Sequence, residues 1–221
     1  MFTDKKDIVV VLGPTASGKS SYAIQLAKMH NAVIISADAY QVYKKMDIGT
    51  AKATKQEQQG IKHYLIDIKH YSESYSAAEF VKKSNNIISE CRKQNIPVVI
   101  CGGTALYLHS FLYNYQFPTQ HREQEQIENL SRSYPENHDL WTHLNKLDSE
   151  AAKKIHPNNR VRALRAIYVT LSTGKPFSQQ ATHTTKRTDV KVIGLERSRE
   201  DLYNRIDKRV DDMIKKGLEK E

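Results

Sequence analysis

Residues 13–20 have the types and spacing of a phosphate-binding loop. They match the pattern G-x-x-x-x-G-K-[ST], in which glycines let backbone N–H groups converge on phosphate oxygens, Lys19 reaches a terminal phosphate and Ser20 can ligate Mg²⁺. The predicted diphosphate- or nucleotide-binding residues are Gly13, Pro14, Thr15, Ala16, Ser17, Gly18, Lys19 and Ser20. The loop predicts a bound polyphosphate with Mg²⁺, but it leaves open whether that polyphosphate is a nucleoside triphosphate or another diphosphate.

Asp38 is a candidate for acid–base or metal chemistry, because it closely follows an apolar run at Ala32 to Ser36. A carboxylate at the end of a buried strand faces the ligand crevice of a parallel sheet. It could act as a general base, bind Mg²⁺ through water, or cap the next helix. Asp67, at the end of a weaker strand-like run, is a second candidate for the metal, and it could equally cap or turn the chain.

Gly102, Gly103 and Thr104 form a third candidate segment, at the point where another apolar run ends. Thr104 is by default the N-cap of the following helix, although a position beside the phosphate loop would also allow a phosphate contact. The two glycines would let a bulky substrate approach the backbone.

These candidates require a scaffold of alternating strands and helices, and the sequence contains one. Apolar β-branched runs are typical of strands buried on both faces of a parallel sheet. The predicted elements are a strand at Ile8 to Leu12, a helix at Lys19 to His30, a strand at Ala32 to Ser36, a strand at His63 to Ile68, a helix from Ser76 to about Gln94, and a strand at Pro97 to Cys101. The predicted fold is α/β, a P-loop NTPase-like parallel sheet flanked by helices, with its ligand site at the carboxyl ends of the strands.

The pattern changes after Pro118, because no strand-like run follows until Val190 to Leu195. We predict a core at 1–117, an inserted helical subdomain at 118–188 and a return to the core at 189–221. Apolar residues at helical spacing predict core-facing positions in the insertion at Trp141, Leu144, Leu147, Val161, Leu164, Ile167, Tyr168 and Leu171. A last helix from Ser198 is expected to point Leu202, Ile206, Val210 and Met213 inward.

Basic residues exceed acidic ones by 34 to 25, which gives a formal net charge of +9. The stretch from Ala151 to Thr188 contains eight basic residues and no acidic one. Because guanidinium groups match phosphate bidentately, this stretch predicts polyanion recognition, with a solvated basic surface as the alternative.

Cys91 and Cys101 are the only cysteines, too few for a disulfide framework and without the spacing of a zinc site. No apolar run approaches the roughly 20 residues of a membrane span, and no signal-peptide pattern precedes Ile8. We therefore expect a soluble, cytoplasmic protein with no membrane partner.

Four segments together closely resemble the bacterial tRNA dimethylallyltransferase (tRNA isopentenyltransferase) family. They are the phosphate loop and residues 35–43, 46–52 and 102–107. Further matches follow in the same order at 156–159, 162–165, 173–176 and 205–209. The resemblance covers essentially the whole chain, and Asp47 to Lys52 is its most diagnostic part.

The resemblance implies a prenyltransferase. Dimethylallyl diphosphate would donate its dimethylallyl group to the exocyclic amine of the adenine immediately 3′ of the anticodon, and pyrophosphate would leave. The phosphate loop would hold the diphosphate, with Mg²⁺ screening its charge. Lys19 would bind the diphosphate, Asp38 would take the amine proton and Thr104 would help to place the amine or the diphosphate, which makes these the predicted catalytic residues.

The resemblance also implies that the target adenine leaves the stack of the tRNA anticodon stem-loop and enters a channel in the protein. The predicted tRNA-binding residues are Asp38, Ala39, Tyr40, Gln41, Arg162 and Arg165. Arg205 and Arg209 are weaker candidates for binding diphosphate or tRNA. Each of these arginines could instead form a surface ion pair, because aspartates at 201, 207, 211 and 212 are near in sequence.

The sequence departs from the family pattern at Ala39, where members usually have Ser or Thr, and at 166–168. Members also continue beyond residue 221, so we expect a chain that lacks the C-terminal part of the family. A nucleotide or small-molecule kinase could use the same loop, and a non-catalytic RNA-binding module is a third interpretation. We expect the protein to be a monomer.

Overall fold

The computed structural model of the protein describes residues 8–115, 117, 123–180 and 185–221. These residues form two compact units. The first comprises the described residues up to Tyr115 together with 185–221, and the second comprises the described residues between them. The predicted subdomain at 118–188 overlaps the second unit, but residues 185–188 belong to the first.

Strands and helices alternate in the first unit, and the second is helical. In chain order the elements are β1 (Ile8–Leu12), α1 (Lys19–His30), β2 (Val33–Ser36), β3 (His63–Tyr64), α2 (Ala77–Lys93), β4 (Val98–Cys101), α3 (Ala105–Leu112), α4 (Glu123–Ser133), α5 (Asn137–Leu147), α6 (Ser149–Lys154), α7 (Arg160–Thr173), β5 (Val190–Gly194) and α8 (Arg199–Lys215). Short 3₁₀ turns lie at Phe177–Gln179 and Leu218–Lys220.

The sheet of the first unit is parallel, with the strand order β3-β2-β4-β1-β5. All residues of β2 and β4 are buried, as expected for apolar strands covered on both faces. Helix α1 packs its alanine and leucine side chains against β1, β2 and β4. On α2 and α3, Phe80, Ile88 and Phe111 are buried. The predicted α/β fold is confirmed.

Two predicted elements of the first unit differ from the structure. The strand predicted at His63 to Ile68 ends at Tyr64, because Leu65 and Asp67 have φ angles of 62° and 56°, which a strand cannot contain. The apolar row predicted to point inward on α8 is covered only in part: Leu202, Ile206 and Met213 are partly buried, and Val210 is 45% exposed.

The second unit has a core of its own between α5, α6 and α7, centred on Leu140, Leu144 and Ile167. Asp148 begins α6: its Oδ1 accepts hydrogen bonds from the Ala151 N–H and the Ser178 hydroxyl at 3.0 and 2.7 Å. Gly174 ends α7 with a φ of 67°, as predicted.

Val161 and Leu171, which we predicted to be core residues of α7, are 79% and 58% exposed. Both share the helix face of Leu164 and Ile167, but they lie in the first and last turns of α7, outside the buried stretch between Ala163 and Thr170. Across the described ranges, none of the helices is both long and apolar enough to cross a bilayer.

Candidate active site

The register of the parallel sheet brings the three predicted site segments to one edge. Cys101, the last residue of β4, pairs with Val11 on one side and with Ser36 on the other. The segments that follow these strands are therefore adjacent, as expected at the carboxyl ends of parallel strands.

A cavity of about 430 Å³ opens at this edge. Its lining comes from the phosphate loop and α1, from the segments after β2 and β4, and from α8. The lining residues are Thr15, Ala16, Gly18, Lys19, Ser20, Ser21, Asp38, Gln41, Thr50, Ala51, Cys101, Gly102, Gly103, Arg205, Lys208, Arg209 and Asp212. The volume is that of a small-molecule site.

The phosphate loop leads directly into the N-terminus of α1. Gly18 occupies the N-cap with a φ of 92°, a conformation that glycine adopts without strain, and no side chain caps the helix. The first N–H groups of α1 therefore remain available for an anion. Lys19 Nζ donates a hydrogen bond to the Pro14 carbonyl at 2.6 Å. Burial lowers the pKa of Lys19, and the nearby charge of Arg209 lowers it further.

Arg197 supports the phosphate loop and was not predicted as a site residue. Its Nε donates to the Ser17 carbonyl at 2.8 Å, and its Nη1 donates to Asp201 at 2.9 Å. Arg197 lies just after β5, which pairs in parallel with β1. The sequence signal that could have found it is therefore its position three residues after a strand that would lie beside β1.

Asp38 forms a turn with the residues that follow it. Its Oδ1 accepts hydrogen bonds from the backbone N–H groups of Tyr40 and Gln41 at 2.9 and 3.3 Å. The side chain is partly exposed and lines the cavity. Asp38 therefore has a turn-forming role as well as a carboxylate at the cavity.

Thr104 forms a hydrogen bond with the turn that begins at Asp38. It occupies the N-cap position of α3, but its side chain does not cap that helix, contrary to the default expectation. Its Oγ1 instead accepts a hydrogen bond from the Ala39 N–H at 2.8 Å, and its own N–H donates to the Ala37 carbonyl at 3.1 Å. Thr104 thus connects the end of β4 to the segment after β2.

The Gln41 amide is engaged within the chain at both ends. Its Oε1 accepts from the Ser36 hydroxyl at 3.1 Å, and its Nε2 donates to the Thr50 carbonyl at 3.2 Å. By contrast, the neighbouring Tyr40 side chain is 63% exposed. Of these two predicted tRNA contacts, Tyr40 presents the larger free surface.

Asp67 does not fit the metal role that the sequence left open for it. The Lys52 side chain is 5% exposed, and its Nζ contacts Asp67 Oδ1 and Asp47 Oδ1 at 2.6 Å each. Asp67 is also outside the set of described residues that line the cavity. Its carboxylate stabilises the segment between β2 and β3.

Helix α8 contributes positive charge to the cavity through Arg205, Lys208 and Arg209. Arg205 Nε also donates to the two Asp201 oxygens at 3.0 and 3.2 Å, so the ion-pair alternative applies to this residue. Together with Lys19, these residues make the cavity favourable for a polyanion. Cys101 also lines the cavity. Burial raises the pKa of its thiol to about 12, so the thiol is neutral at physiological pH.

Arg162 and Arg165 lie on α7 of the second unit. Arg162 is exposed, whereas Arg165 is partly buried and its guanidinium lies 5.7 Å from the centre of the Tyr168 ring. Burial lowers the pKa of Arg165. The predicted tRNA-binding arginines therefore occupy different environments on the same helix.

The parallel sheet, the phosphate loop and the cationic cavity define a P-loop-type α/β protein with a cavity suited to an anion. The sequence profile of the IPP transferase family matches residues 41–221. The tRNA dimethylallyltransferase of Staphylococcus epidermidis is 44% identical over 221 residues, which is 97% of this chain and 67% of that protein. The tRNA dimethylallyltransferase of a Thermoanaerobacter species is 45% identical, over 97% of this chain and 70% of that protein.

A solved structure also resembles this one. It is described as a eukaryotic dimethylallyltransferase acting on tRNA, and it is 31% identical with a TM-score of 0.82 over 96% of this chain and 53% of that chain. On this evidence, the chain belongs to the tRNA dimethylallyltransferase, or IPP transferase, family. The predicted family is confirmed.

Proposed function

We propose that this protein transfers the dimethylallyl group of dimethylallyl diphosphate to the exocyclic amine of the adenine immediately 3′ of the anticodon in tRNA, with release of pyrophosphate. The observation that carries the proposal is that a cationic phosphate loop and a carboxylate line the same cavity in a member of this family. Prenyl transfer to an amine requires a site for the anionic diphosphate next to a side chain that can accept the amine proton.

The phosphate loop and α8 would bind the diphosphate. Free N–H groups at the start of α1 and the ammonium of Lys19 would contact its oxygens, and Arg205 and Arg209 on α8 would add positive charge. Because negative charge grows on the leaving pyrophosphate as the carbon–oxygen bond breaks, these groups would stabilise the transition state more than the ground state.

The oxygen donors in the cavity suit Mg²⁺. The Ser20 hydroxyl and the carboxylates of Asp38 and Asp212 line it, and the described residues contain no cluster of three or more His, Cys, Asp or Glu side chains that could hold a metal alone. Mg²⁺ usually takes only one or two protein ligands and completes its shell with water and phosphate oxygens. Held by Ser20 together with the diphosphate, Mg²⁺ would neutralise charge on the leaving group.

Asp38 would act on the acceptor amine. The amine nitrogen attacks the carbon attached to the diphosphate, the carbon–oxygen bond breaks with its electron pair passing to pyrophosphate, and Asp38 takes the proton that the amine loses. Thr104 would hold the Asp38 turn through the Ala39 N–H rather than contact the reacting atoms itself. Its role is therefore one of positioning.

The segment from Asp38 to Gln41 and the side chains of Arg162 and Arg165 would contact the tRNA. The exposed ring of Tyr40 can stack on an unpaired base. The exposed guanidinium of Arg162 can pair with a backbone phosphate. The monomeric state and the cytoplasmic location stay predictions.

The direct test is to incubate the protein with Mg²⁺, labelled dimethylallyl diphosphate and unmodified tRNA, and to analyse the nucleosides after digestion. We expect label on adenosine. A parallel tube with ATP tests the kinase alternative, which predicts ATP consumption, and binding of tRNA without turnover would indicate an RNA-binding module.

The substitution Lys19→Ala tests the role of the phosphate loop in diphosphate binding. We expect roughly 10- to 100-fold weaker diphosphate binding, the effect of losing charged hydrogen bonds. Lys28→Ala is the control, because Lys28 is an exposed lysine on the same helix that donates to Gln59 outside the cavity. Equal activity of the two variants would contradict the assigned site.

A further inference from the structure

Three successive backbone N–H groups in the segment after β2 converge on one carboxylate. The N–H groups of Asp47 and Ile48 donate to Glu221 Oε1 at 2.6 and 2.7 Å, and the N–H of Gly49 donates to Glu221 Oε2 at 2.8 Å. Successive N–H groups that point to one side form an anion-binding concavity. The carboxylate of Glu221 fills this concavity.

The contact is close. A Cβ on Gly49 would lie 3.1 Å from Leu218 Cδ1 and 3.4 Å from Glu221 Oε2, so a larger residue there would displace Leu218 or Glu221. The hydrogen bonds from the Gly49, Ile48 and Asp47 N–H groups lower the pKa of Glu221 below its ordinary value. The carboxylate is therefore ionised at neutral and mildly acidic pH.

Both chain segments that meet in this contact, residues 47–49 and Glu221, are close in sequence to residues that line the cavity. On one side, Thr50 and Ala51 follow Gly49 directly and line the cavity. On the other side, Glu221 follows the 3₁₀ turn after α8, and α8 carries Arg205 and Arg209 into the cavity. Within the first unit, Glu221 thus joins two chain segments that are distant in sequence and that face the same space.

We propose that Glu221 is a positioning residue that fastens the segment 47–51 to α8 and so sets the width of the cavity between them. This inference rests on the proposed function. Glu221 touches neither the donor nor the acceptor: it holds the arginines of α8 at the distance that the diphosphate needs. Its loss should therefore weaken donor binding more than it slows the chemical step.

The test compares Glu221→Gln with Glu219→Gln in the transfer assay. Glutamine keeps the size and one acceptor oxygen, but it loses the charge and faces one N–H donor with an NH₂ group. For Glu221→Gln we expect the KM for dimethylallyl diphosphate to rise about tenfold, as for loss of a charge-assisted hydrogen bond, with kcat within about threefold. Glu219 is the control because it is an exposed glutamate in the same 3₁₀ turn and does not contact this N–H cluster.

Hydrogen exchange gives a reading that does not depend on turnover. The amides of residues 47–49 should exchange faster in Glu221→Gln, while those of β1 and β4 should not change. Gly49→Ala loosens the same contact from the other side and should raise the KM in the same way.

Equal KM values for the two glutamine variants would overturn the proposal. So would faster exchange throughout the sheet, because it would show a general loss of stability. If the wild-type protein does not transfer the prenyl group, the proposed function fails on its own. Calorimetric affinity for pyrophosphate in the two variants would then still decide the role of Glu221.

Discussion

In the first unit, Lys19, Arg205, Lys208 and Arg209 line a single cavity, whereas the basic residues on α6 and α7 of the second unit are dispersed over separate environments. Lys153 pairs with Glu150 at 2.6 Å on the surface. Arg165 is partly buried beside Tyr168, and Arg162 is exposed. A count of charges in the sequence does not distinguish these cases.

Arg160 is a basic residue of the second unit whose guanidinium is used entirely within that unit. Its Nη2 donates to the Ser131 and Tyr134 carbonyls at 2.7 and 2.6 Å, and its Nη1 donates to the Pro135 carbonyl at 3.2 Å. These contacts satisfy carbonyl groups at the end of α4, as basic side chains often do near helix C-termini. Arg160 therefore belongs to the structure of the helical unit, although it lies in the acid-free stretch.

The architecture of each unit determines where its side chains converge. Parallel strands deliver the residues that follow them to one edge, so a site can be inferred from strand ends. A helix distributes successive side chains around its axis, so Arg160 and Arg162, two residues apart on α7, meet different surroundings. Changes in the first unit should therefore have large, localised effects, and changes on α7 smaller and graded ones.

Gly102→Ala should have the largest effect. A Cβ there would lie 2.1 Å from the Ala37 carbonyl oxygen, a backbone atom that cannot move without shifting β2. We expect a loss of about 3 kcal/mol or more in the free energy of unfolding, measured by denaturant titration. Gly103→Ala is the control, because its Cβ would come no closer than 3.7 Å to Asp38 Oδ2. Similar stability of the two variants would refute this account of the strand ends.

Asp38→Asn separates the two roles of Asp38. Asparagine keeps an oxygen that can accept from the Tyr40 and Gln41 N–H groups, but it cannot act as the base. We expect kcat to fall about 10²-fold or more, with pyrophosphate affinity within about twofold of the wild type. Normal turnover of this variant would reduce Asp38 to a turn-forming residue.

The pair Arg160→Ala and Arg162→Ala tests the helical unit and should give the smallest effects. Arg160→Ala leaves carbonyls unpaired, so we expect a loss of about 1–3 kcal/mol in stability. Arg162→Ala should leave stability unchanged, weaken tRNA binding modestly and reduce the slope of log affinity against log salt by about 1. An unchanged slope would assign Arg162 to a solvated surface instead.

Local patterns predicted much of the first unit. The runs at β1, β2 and β4 are apolar and β-branched enough to identify buried strands, and the phosphate loop has a fixed order of residues. The strand at 63–68 was predicted too long because the residue type of Leu65 gives no sign of its positive φ angle, and Asp67, a type that tolerates such angles, was treated only as a possible turn. The apolar row on α8 is covered only in part, because an amphipathic pattern shows a preferred face but not how completely that face is covered.

The order of residues by itself determined the α/β class, the phosphate loop and the placement of Asp38 after a buried strand, because these depend on neighbours in the chain. Only the tertiary structure decided which partner each polar side chain takes: Thr104 with Ala39, Arg197 with Ser17, and Glu221 with the N–H groups of residues 47–49. These pairs are 65, 180 and 172 residues apart at the cited contacts. Their distances are set by how the strands and helices pack, which no local pattern encodes.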